Sequence, residues 1–447
     1  MTDADSSASH YAHLRATLRE RPALAWSFLY FFFLLTGYYV LRPVRDAMGA
    51  ANDPSAVFPV AMVDWFAARG IALGDYQLQV LFTGTFFSML LLQPVYGALV
   101  SRFPRRVFLP VVYLAFVACL AWFWWAFEVR LPGRGGLFFI WLAVFNLFAV
   151  SVFWSYMADV WRDSEARRLY GFIAAGGTLG GLLGPQLTTL FVTRVGVANM
   201  LLVSVGCLLA CLVCIVALAP SARAREGADP SVRDEAAIGG GILEGLRRIA
   251  SDPLLRALAM LMFFGVGVGT LLYNEQNAIV RAMTAGDPAA AEQATAFFST
   301  IDKWINWLVL LLQVFVTRVV LTRWGVAPLL LFPALAIFVG YAILAAAPLP
   351  VLVAVVQIVT RASEFALNKP ARETIYTRVD RAARYKAKAA IDTVVYRGGD
   401  LTFVWVHKAL AAFGSVVVFA SGMAVAAAFF VASWRVVREQ AKLQDRP

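Results

Sequence analysis

Several long apolar runs of this sequence carry ionisable residues at helical spacing. In the first, Arg42 and Arg45 stand one turn apart, and Asp46 follows Arg42 by four residues, within reach as an ion partner. Tyr273-Asn274-Glu275-Gln276-Asn277 is a dense polar group late in another run. Asp302, Lys303 and Asn306 interrupt a third, where Asp302 and Asn306 share a face and Asp302 beside Lys303 reads equally well as an internal ion pair. Arg361, Glu364 and Asn368 fall on one helical stripe, with Lys369 beside Pro370. Lys388, Asp392, Tyr396 and Asp400 recur every four residues, with Arg397 adjacent and His407 seven residues beyond Asp400. Two helices with one charged face each require a polar cavity between them or a charge network. Arginine forks bind phosphate oxygens bidentately and lysine adds a point charge, so a cavity with this many cations suits a polyanionic solute. His407 is placed to relay protons, although one histidine near a helix end is more often a packing or interface residue. The arginines of the first run also have a plainer reading, as interface anchors whose long side chains reach the headgroups.

The elements that must position these residues are membrane spans. Of 447 residues, 60% are hydrophobic and 15% charged, and the mean hydropathy is +0.70, which leaves too little polar surface to cover a water-soluble core of this size. A span needs about 20 apolar residues to cross about 30 Å of hydrocarbon. Suitable runs lie at 24–46, 77–99, 107–127, 136–158, 170–193, 197–219, 254–276, 295–318, 326–347, 350–370, 388–411 and 413–434. The first follows a polar tail without a small-residue cleavage site and reads as an uncleaved span. With the N-terminus cytoplasmic, 27 of the 39 lysines and arginines fall on the cytoplasmic side, five opposite and seven within spans. This bias places both termini in the cytoplasm and the chain in the cytoplasmic membrane. The net charge of +11 therefore sets topology, and no nucleic-acid partner is expected. Cys119, Cys207, Cys211 and Cys214 all sit in apolar runs without metal-ligand spacing and read as packing residues. No phosphate-binding G-x-x-x-x-G-K-[ST] loop and no H-E-x-x-H occurs, which disfavours an ATP-driven pump and a metal enzyme, and no cofactor is expected.

The expected organisation is a six-span half over 1–219, a cytoplasmic linker with a surface amphipathic helix over 220–252, and a second six-span half over 253–447. The linker is small, charged and Gly-rich up to Gly241, and ILEGLRRIASDP after it has amphipathic spacing. Leu90-Leu91-Leu92-Gln93 recurs as Leu310-Leu311-Leu312-Gln313, 220 residues later, and each copy leads to a basic turn. Two repeated halves about a central loop resemble the major facilitator architecture: an all-α membrane bundle of 12 helices, with a substrate site between the halves. Gly97-Ala-Leu-Val-Ser101-Arg102-Phe-Pro104-Arg105-Arg106 resembles the facilitator signature G-x-L-a-D-R-x-G-R-R, with Ser101 for Asp and Pro104 for Gly. Gly176, Gly180 and Gly184-Pro185 form a small-residue face on which helices can approach closely, and partly resemble the Gly-Pro motif of facilitator antiporters.

The charged segments also resemble the nucleotide transporter family, the ADP/ATP carriers of plastids and intracellular parasites. Tyr39-Val-Leu41-Arg42-Pro-Val-Arg45-Asp46 is similar to that family's I-L-R-x-x-K-D, with Arg45 in place of Lys. Phe153-Trp154-Ser-Tyr-Met-Ala-Asp159 followed by Glu165-Ala166-Arg167-Arg168-Leu-Tyr170 is similar to F-W-x-F-A-N … E-A-K-R-F-Y, with Asp159 for Asn. Lys369-Pro370-Ala-Arg372-Glu373, then Lys386-Ala-Lys388-Ala-Ala-Ile-Asp392, resembles P-T-K-E … K-x-K-G-K-A-A-I-D, and Arg397 matches too, whereas Asp400 stands where the family tends to be basic. The resemblance implies exchange of nucleotides, with Arg45, Glu165, Glu373 and Lys388 important. Arg42, Arg45, Lys303, Arg361, Lys369 and Arg397 are expected to hold the anion. Asn274, Glu275, Glu364, Asp392, Asp400 and Asp159 complete the expected substrate site, the carboxylates holding the empty carrier together or binding a proton. The partners expected are an anionic solute and lipid, and the chain is expected to act as a monomer. A proton-coupled carrier of another organic anion or of a drug fits the acidic residues equally well.

Overall fold

A computed structural model describes the backbone of residues 3–102, 105–161, 163–226, 242–376, 387–388 and 390–444, and the side chains of 22–92, 108–161, 169–223, 244–376, 387–388 and 390–442. Every regular element among them is helical: α1 (Asp3–Gly49), α2 (Gln77–Arg102), α3 (Arg105–Glu128), α4 (Arg134–Val160), α5 (Asp163–Glu226), α6 (Ile242–Ser251), α7 (Pro253–Met283), α8 (Ala290–Trp324), α9 (Ala327–Ala346), α10 (Pro350–Tyr376), α11 (Tyr396–Ala411) and α12 (Ser415–Gln444). Two short helices, Pro54–Val57 and Val60–Ala67, lie between α1 and α2. Helix is the form the composition demands, because a backbone in hydrocarbon must satisfy its own hydrogen bonds.

Nine stretches of the described residues are long and apolar enough to cross a membrane. One of them, Leu169–Arg223, contains Gly196 at φ 82°, ψ 163°, between the runs read from sequence as separate spans. A left-handed φ suits glycine alone, and it breaks α5 there. The expected amphipathic helix is present as α6; the segment 227–241 before it lies outside the described residues. Asp252 then caps α7, accepting from the backbone N–H groups of Leu254 (2.8 Å) and Leu255 (3.1 Å), with Pro253 at the first helical position.

The chain divides into two compact units. Unit 1 comprises 1–44, 91–131 and 141–235, and unit 2 comprises 45–90, 132–140 and 236–447. Unit 1 is built on α1 and α5. A Cβ on Gly184 would lie 2.8 Å from the Thr36 carbonyl oxygen, and one on Gly180 or Gly176 would overlap the Phe32 or Phe28 carbonyl. The glycine face read from sequence is thus the surface on which α1 lies. Lipid gives no hydrophobic drive to helix pairing, so such close packing supplies it. Around it Tyr30 hydrogen-bonds Tyr113 (2.7 Å), Phe31 stacks on Phe153 (4.3 Å between centroids) and Trp161 donates to Ser27 (3.1 Å).

Unit 2 is built on α7, which packs against α9–α12 through a core of Leu, Val, Ala and Phe. Tyr341 donates to the Val268 carbonyl at 2.6 Å. Among the described residues, three π-helical turns occur in unit 2: Leu312–Thr317 in α8, Glu364–Asn368 in α10, and Ile391–Val395 leading into α11.

Candidate functional site

The site grows from α7, the most buried of the nine apolar stretches. Three of its polar side chains find a partner on another helix. Thr270 donates to Asp400 Oδ1 (2.9 Å) on α11, and Tyr273 donates to Asp46 Oδ1 (2.9 Å) on α1. Glu275 Oε1 lies 2.9 Å from Nε2 of His407, and both residues are buried. Asn274 and Asn277 turn their amide nitrogens back onto the carbonyls of Thr270 and Tyr273, each at 2.8 Å. Arg45 reaches Asp46 Oδ1 with Nη2 at 2.6 Å and Nε at 3.0 Å, its guanidinium 5.0 Å from the centre of the Phe139 ring. Asp46 Oδ1 therefore accepts from a cation and from a tyrosine at once. A cavity of about 340 Å³ opens beside these groups, lined by Asn52, Gln77, Asn274, Asn277, Arg281 and His407, among others.

A second group of charges comes from α10, α11 and the segment between them. Arg372 bonds Glu364 at 2.7 Å, and Asn368 donates to the other oxygen of Glu364 at 3.1 Å. Arg397 bonds Asp400 Oδ2 at 3.2 Å, so Asp400 uses both oxygens. Arg361 acts electrostatically on Asp400 and on Tyr396, yet its own Nε is buried and makes no hydrogen bond among the described residues. Asp392 feels Lys388, Arg372, Glu373 and Lys369. Lys388 bonds Glu373 at 2.6 and 2.7 Å, with its ammonium 5.6 Å from the Tyr376 ring centre; this pair is largely exposed.

The stripe Arg361, Glu364, Asn368 is realised in part, because Glu364 and Asn368 are bonded to each other. The four-residue series on the last charged run is divided between partners: Lys388 goes to Glu373 and Asp400 to Thr270 and Arg397. The π turn at 391–395 lies between them and shifts the register of the faces. Lys369 is exposed. Lys303 is half-buried with its ammonium 5.6 Å from the Trp304 ring centre, and Asp302 beside it is buried. Arg42 and Asp159 belong to unit 1. Arg42 is 5% exposed, with its guanidinium 5.8 Å from the Tyr39 ring centre, so it is enclosed by protein and does not reach out as an anchor. Asp159 is half-buried near the end of α4. Glu165, Gln93 and the basic signature at 97–106 lie outside the residues whose side chains are described.

The family profile described as Major Facilitator Superfamily matches residues 54–360. The chain belongs to that superfamily. It is an integral membrane protein and a secondary transporter of a small molecule, not an enzyme. The match ends one residue before Arg361, so it carries the fold and not the charged segments after it. Solved structures agree on the fold. A bacterial homologue of the human lysosomal transporter Spinster, in an inward-facing, unoccupied conformation, is 14% identical with a TM-score of 0.55, over 94% of this chain and 98% of that one. The nucleoside transporter NupG is 13% identical with a TM-score of 0.58, over 95% and 98%. A POT family transporter in complex with 5-aminolevulinic acid is 9% identical with a TM-score of 0.61, over 94% and 96%. No curated protein matched the chain in a search by sequence.

Several members of this facilitator's polar network stand outside the site expected from sequence, among them Asp46, Thr270, Tyr273, Asn368, Arg372 and His407. Tyr273 carried a signal, as the first residue of the polar group on α7. Arg372 lies eight residues after Glu364, and a π turn adds one residue to a turn, so the eighth rather than the seventh residue returns to the same face. The arrangement can hold a polyanion: arginines kept in place by carboxylates they can exchange, with the Arg361 Nε–H lacking an acceptor among the described residues.

Proposed function

We propose that this facilitator exchanges phosphorylated anions, nucleotides first among them, by alternating access between two six-span halves. The observation that carries the reading is the buried Nε of Arg361, a cationic donor without an acceptor among the described residues, beside the Arg397–Asp400 pair. A buried charged donor left unsatisfied is costly, and an anionic oxygen placed there would relieve it. The neighbouring arginines support a polyanion over a monoanion. Arg45, Arg372 and Arg397 already hold carboxylates at 2.6–3.2 Å, so a competing ligand must offer more charge and a better bidentate fit than a carboxylate does. Antiport and nucleotide specificity rest on the resemblance of the α1, α10 and α11 segments to the nucleotide carriers. In this reading both termini are cytoplasmic, the membrane is the cytoplasmic one and the monomer is the working unit.

The test is uptake of labelled ATP and ADP into proteoliposomes with and without unlabelled nucleotide inside. Accumulation is expected only with internal nucleotide. Absence of flux from vesicles holding folded protein would reject nucleotides. Proton-coupled transport of another organic anion is the second reading, and the buried Glu275–His407 pair favours it, since such a pair can exchange a proton. Its mark is uptake driven by a pH gradient without competition from nucleotides.

A further inference from the structure

Tyr273, Asn277 and Arg281 on one face of α7, with Thr284 capping its end, form a stripe of four- and three-residue steps. From this stripe, and from α11 beside it, contacts run to the end of α1 and the start of α2, segments more than 200 positions away in the chain. Asn52 donates to Thr284 Oγ1 (3.1 Å) and Arg281 to the Gly74 carbonyl (2.8 Å). Gln79 donates to the Val404 carbonyl (3.1 Å), and the Trp405 indole N–H to Thr83 Oγ1 (3.3 Å). The Lys408 ammonium lies 4.4 Å from the Tyr76 ring centre. Gly49 lets the seam close, because a Cβ there would stand 3.1 Å from Asn277 Oδ1 and 3.0 Å from Leu78 Cδ2. Arg281 donates to a neutral carbonyl, with Asp75 acting on it electrostatically, and the other contacts are uncharged or cation–π and weak singly. The contact at the other end of the stripe differs: Tyr273 bonds the oxygen of Asp46 that also holds Arg45.

We propose that Asp46 and Tyr273 are positioning residues that tie the Arg45 site to this seam, and that the seam is the gate closing one end of the transport path. The inference rests on the reading of the chain as an anion carrier and adds the residues through which the anion acts on the gate. An anion on Arg45 draws the guanidinium from Asp46. The carboxylate then lacks its cation, and the hydrogen bond that fastens α1 to α7 is no longer held in line. The weaker contacts along the stripe then part, and when the anion leaves, Arg45 returns to Asp46 and the seam re-forms. By the charge bias of the loops this end is the non-cytoplasmic one.

The test uses the full chain in lipid vesicles with Asn52→Cys and Thr284→Cys, at positions whose parent side chains are hydrogen-bonded to each other at 3.1 Å. Oxidation is expected to join the two sulfurs and stop uptake of labelled ATP, and reductant to restore it. A disulfide that forms and leaves uptake unaltered overturns the gate. The rate of disulfide formation reads the tie itself, without any transport. Tyr273→Phe in this background is expected to slow it about five-fold, and ATP or inorganic phosphate to slow it in the parent but not in the Arg45→Gln variant. A parental rate in Tyr273→Phe overturns the tie. Slowing by Tyr273→Phe with no response to ATP or phosphate keeps the tie and rejects a phosphorylated substrate. Should the double-cysteine chain fail to insert, Lys408→Ala with a reporter cysteine at Leu78, which lines the neighbouring cavity and is buried, replaces it. Maleimide labelling is expected to rise several-fold, and unchanged labelling overturns the gate.

Discussion

Units 1 and 2 are both helical and both apolar in composition, but they are held together differently. In unit 1, α1 lies directly on the glycines of α5, and tyrosine, phenylalanine and tryptophan rings fill the surroundings. Among the described residues, neutral groups such as Tyr30–Tyr113 and Trp161–Ser27 bond there. In unit 2 the same apolar core surrounds a line of cation–carboxylate pairs, Arg45–Asp46, Arg372–Glu364 and Arg397–Asp400, and α7 carries polar side chains along most of its later length. Close packing has one good solution and resists change. Ion pairs have at least two, because either partner can be given to a third charge. The first kind of contact suits a frame and the second a machine part that must change hands.

The largest effect expected is in unit 1. Gly180→Leu places a side chain where the Phe32 carbonyl stands and should destabilise the protein by more than about 3 kcal/mol, because backbone cannot yield as a side chain can. Size-exclusion chromatography of the detergent-solubilised chain should show little folded material, and a normal profile would refute the account of unit 1 as rigidly packed. Next comes Arg45→Gln in unit 2. Uptake should fall by about 100-fold with the loss of a charge-assisted contact to the anion. Thermal stability should fall as well, because Asp46, 3% exposed, is left without its cation. Adding Asp46→Asn should restore the melting temperature and leave uptake lost, which separates the two roles.

Lys388→Gln sharpens the contrast further. The Lys388–Glu373 pair is largely exposed, so stability should shift by less than about 1 kcal/mol, while uptake should fall by about ten-fold if Lys388 serves the anion. Unchanged uptake would remove Lys388 from the site. The smallest effect is Tyr30→Phe, which removes one neutral hydrogen bond from unit 1. It should lower stability by about 1 kcal/mol and leave the KM for the transported solute unaltered. A change in KM would mean that unit 1 also takes part in binding.

Most of the fold was legible because its signals are local. Apolar runs of span length, the Gly176–Gly180–Gly184 spacing and the amphipathic α6 all depend on residues close in sequence. The charged residues of the site were visible for the same reason: an arginine in an apolar run announces itself. Their pairing was not. Tyr273 to Asp46 and Glu275 to His407 join segments 227 and 132 residues apart, and nothing local marks which helix faces which. Arg372 was hidden by periodicity itself, since reading α10 at 3.6 residues per turn puts it off the Glu364 face. His407 reads from its position as a packing residue near a helix end, and its buried bond to Glu275 gives it a chemical partner that position alone does not show.

The three π turns have a consequence for how such a sequence can vary. Each holds one residue more than an α-helical turn, so removing a single residue from Glu364–Asn368 need not break the helix; it can relax the turn to α. Everything after it would keep its face, because the residue now eighth from Glu364 would become the seventh, and seven residues make two α-helical turns to within about 20°. Arg372 would still meet Glu364, so a one-codon deletion there is absorbed by the turn. The same deletion in a plain α-helical stretch would rotate everything after it by about 100°, the angle that one residue subtends. The π turns are thus places where the chain can change length while the charges beyond them keep their partners.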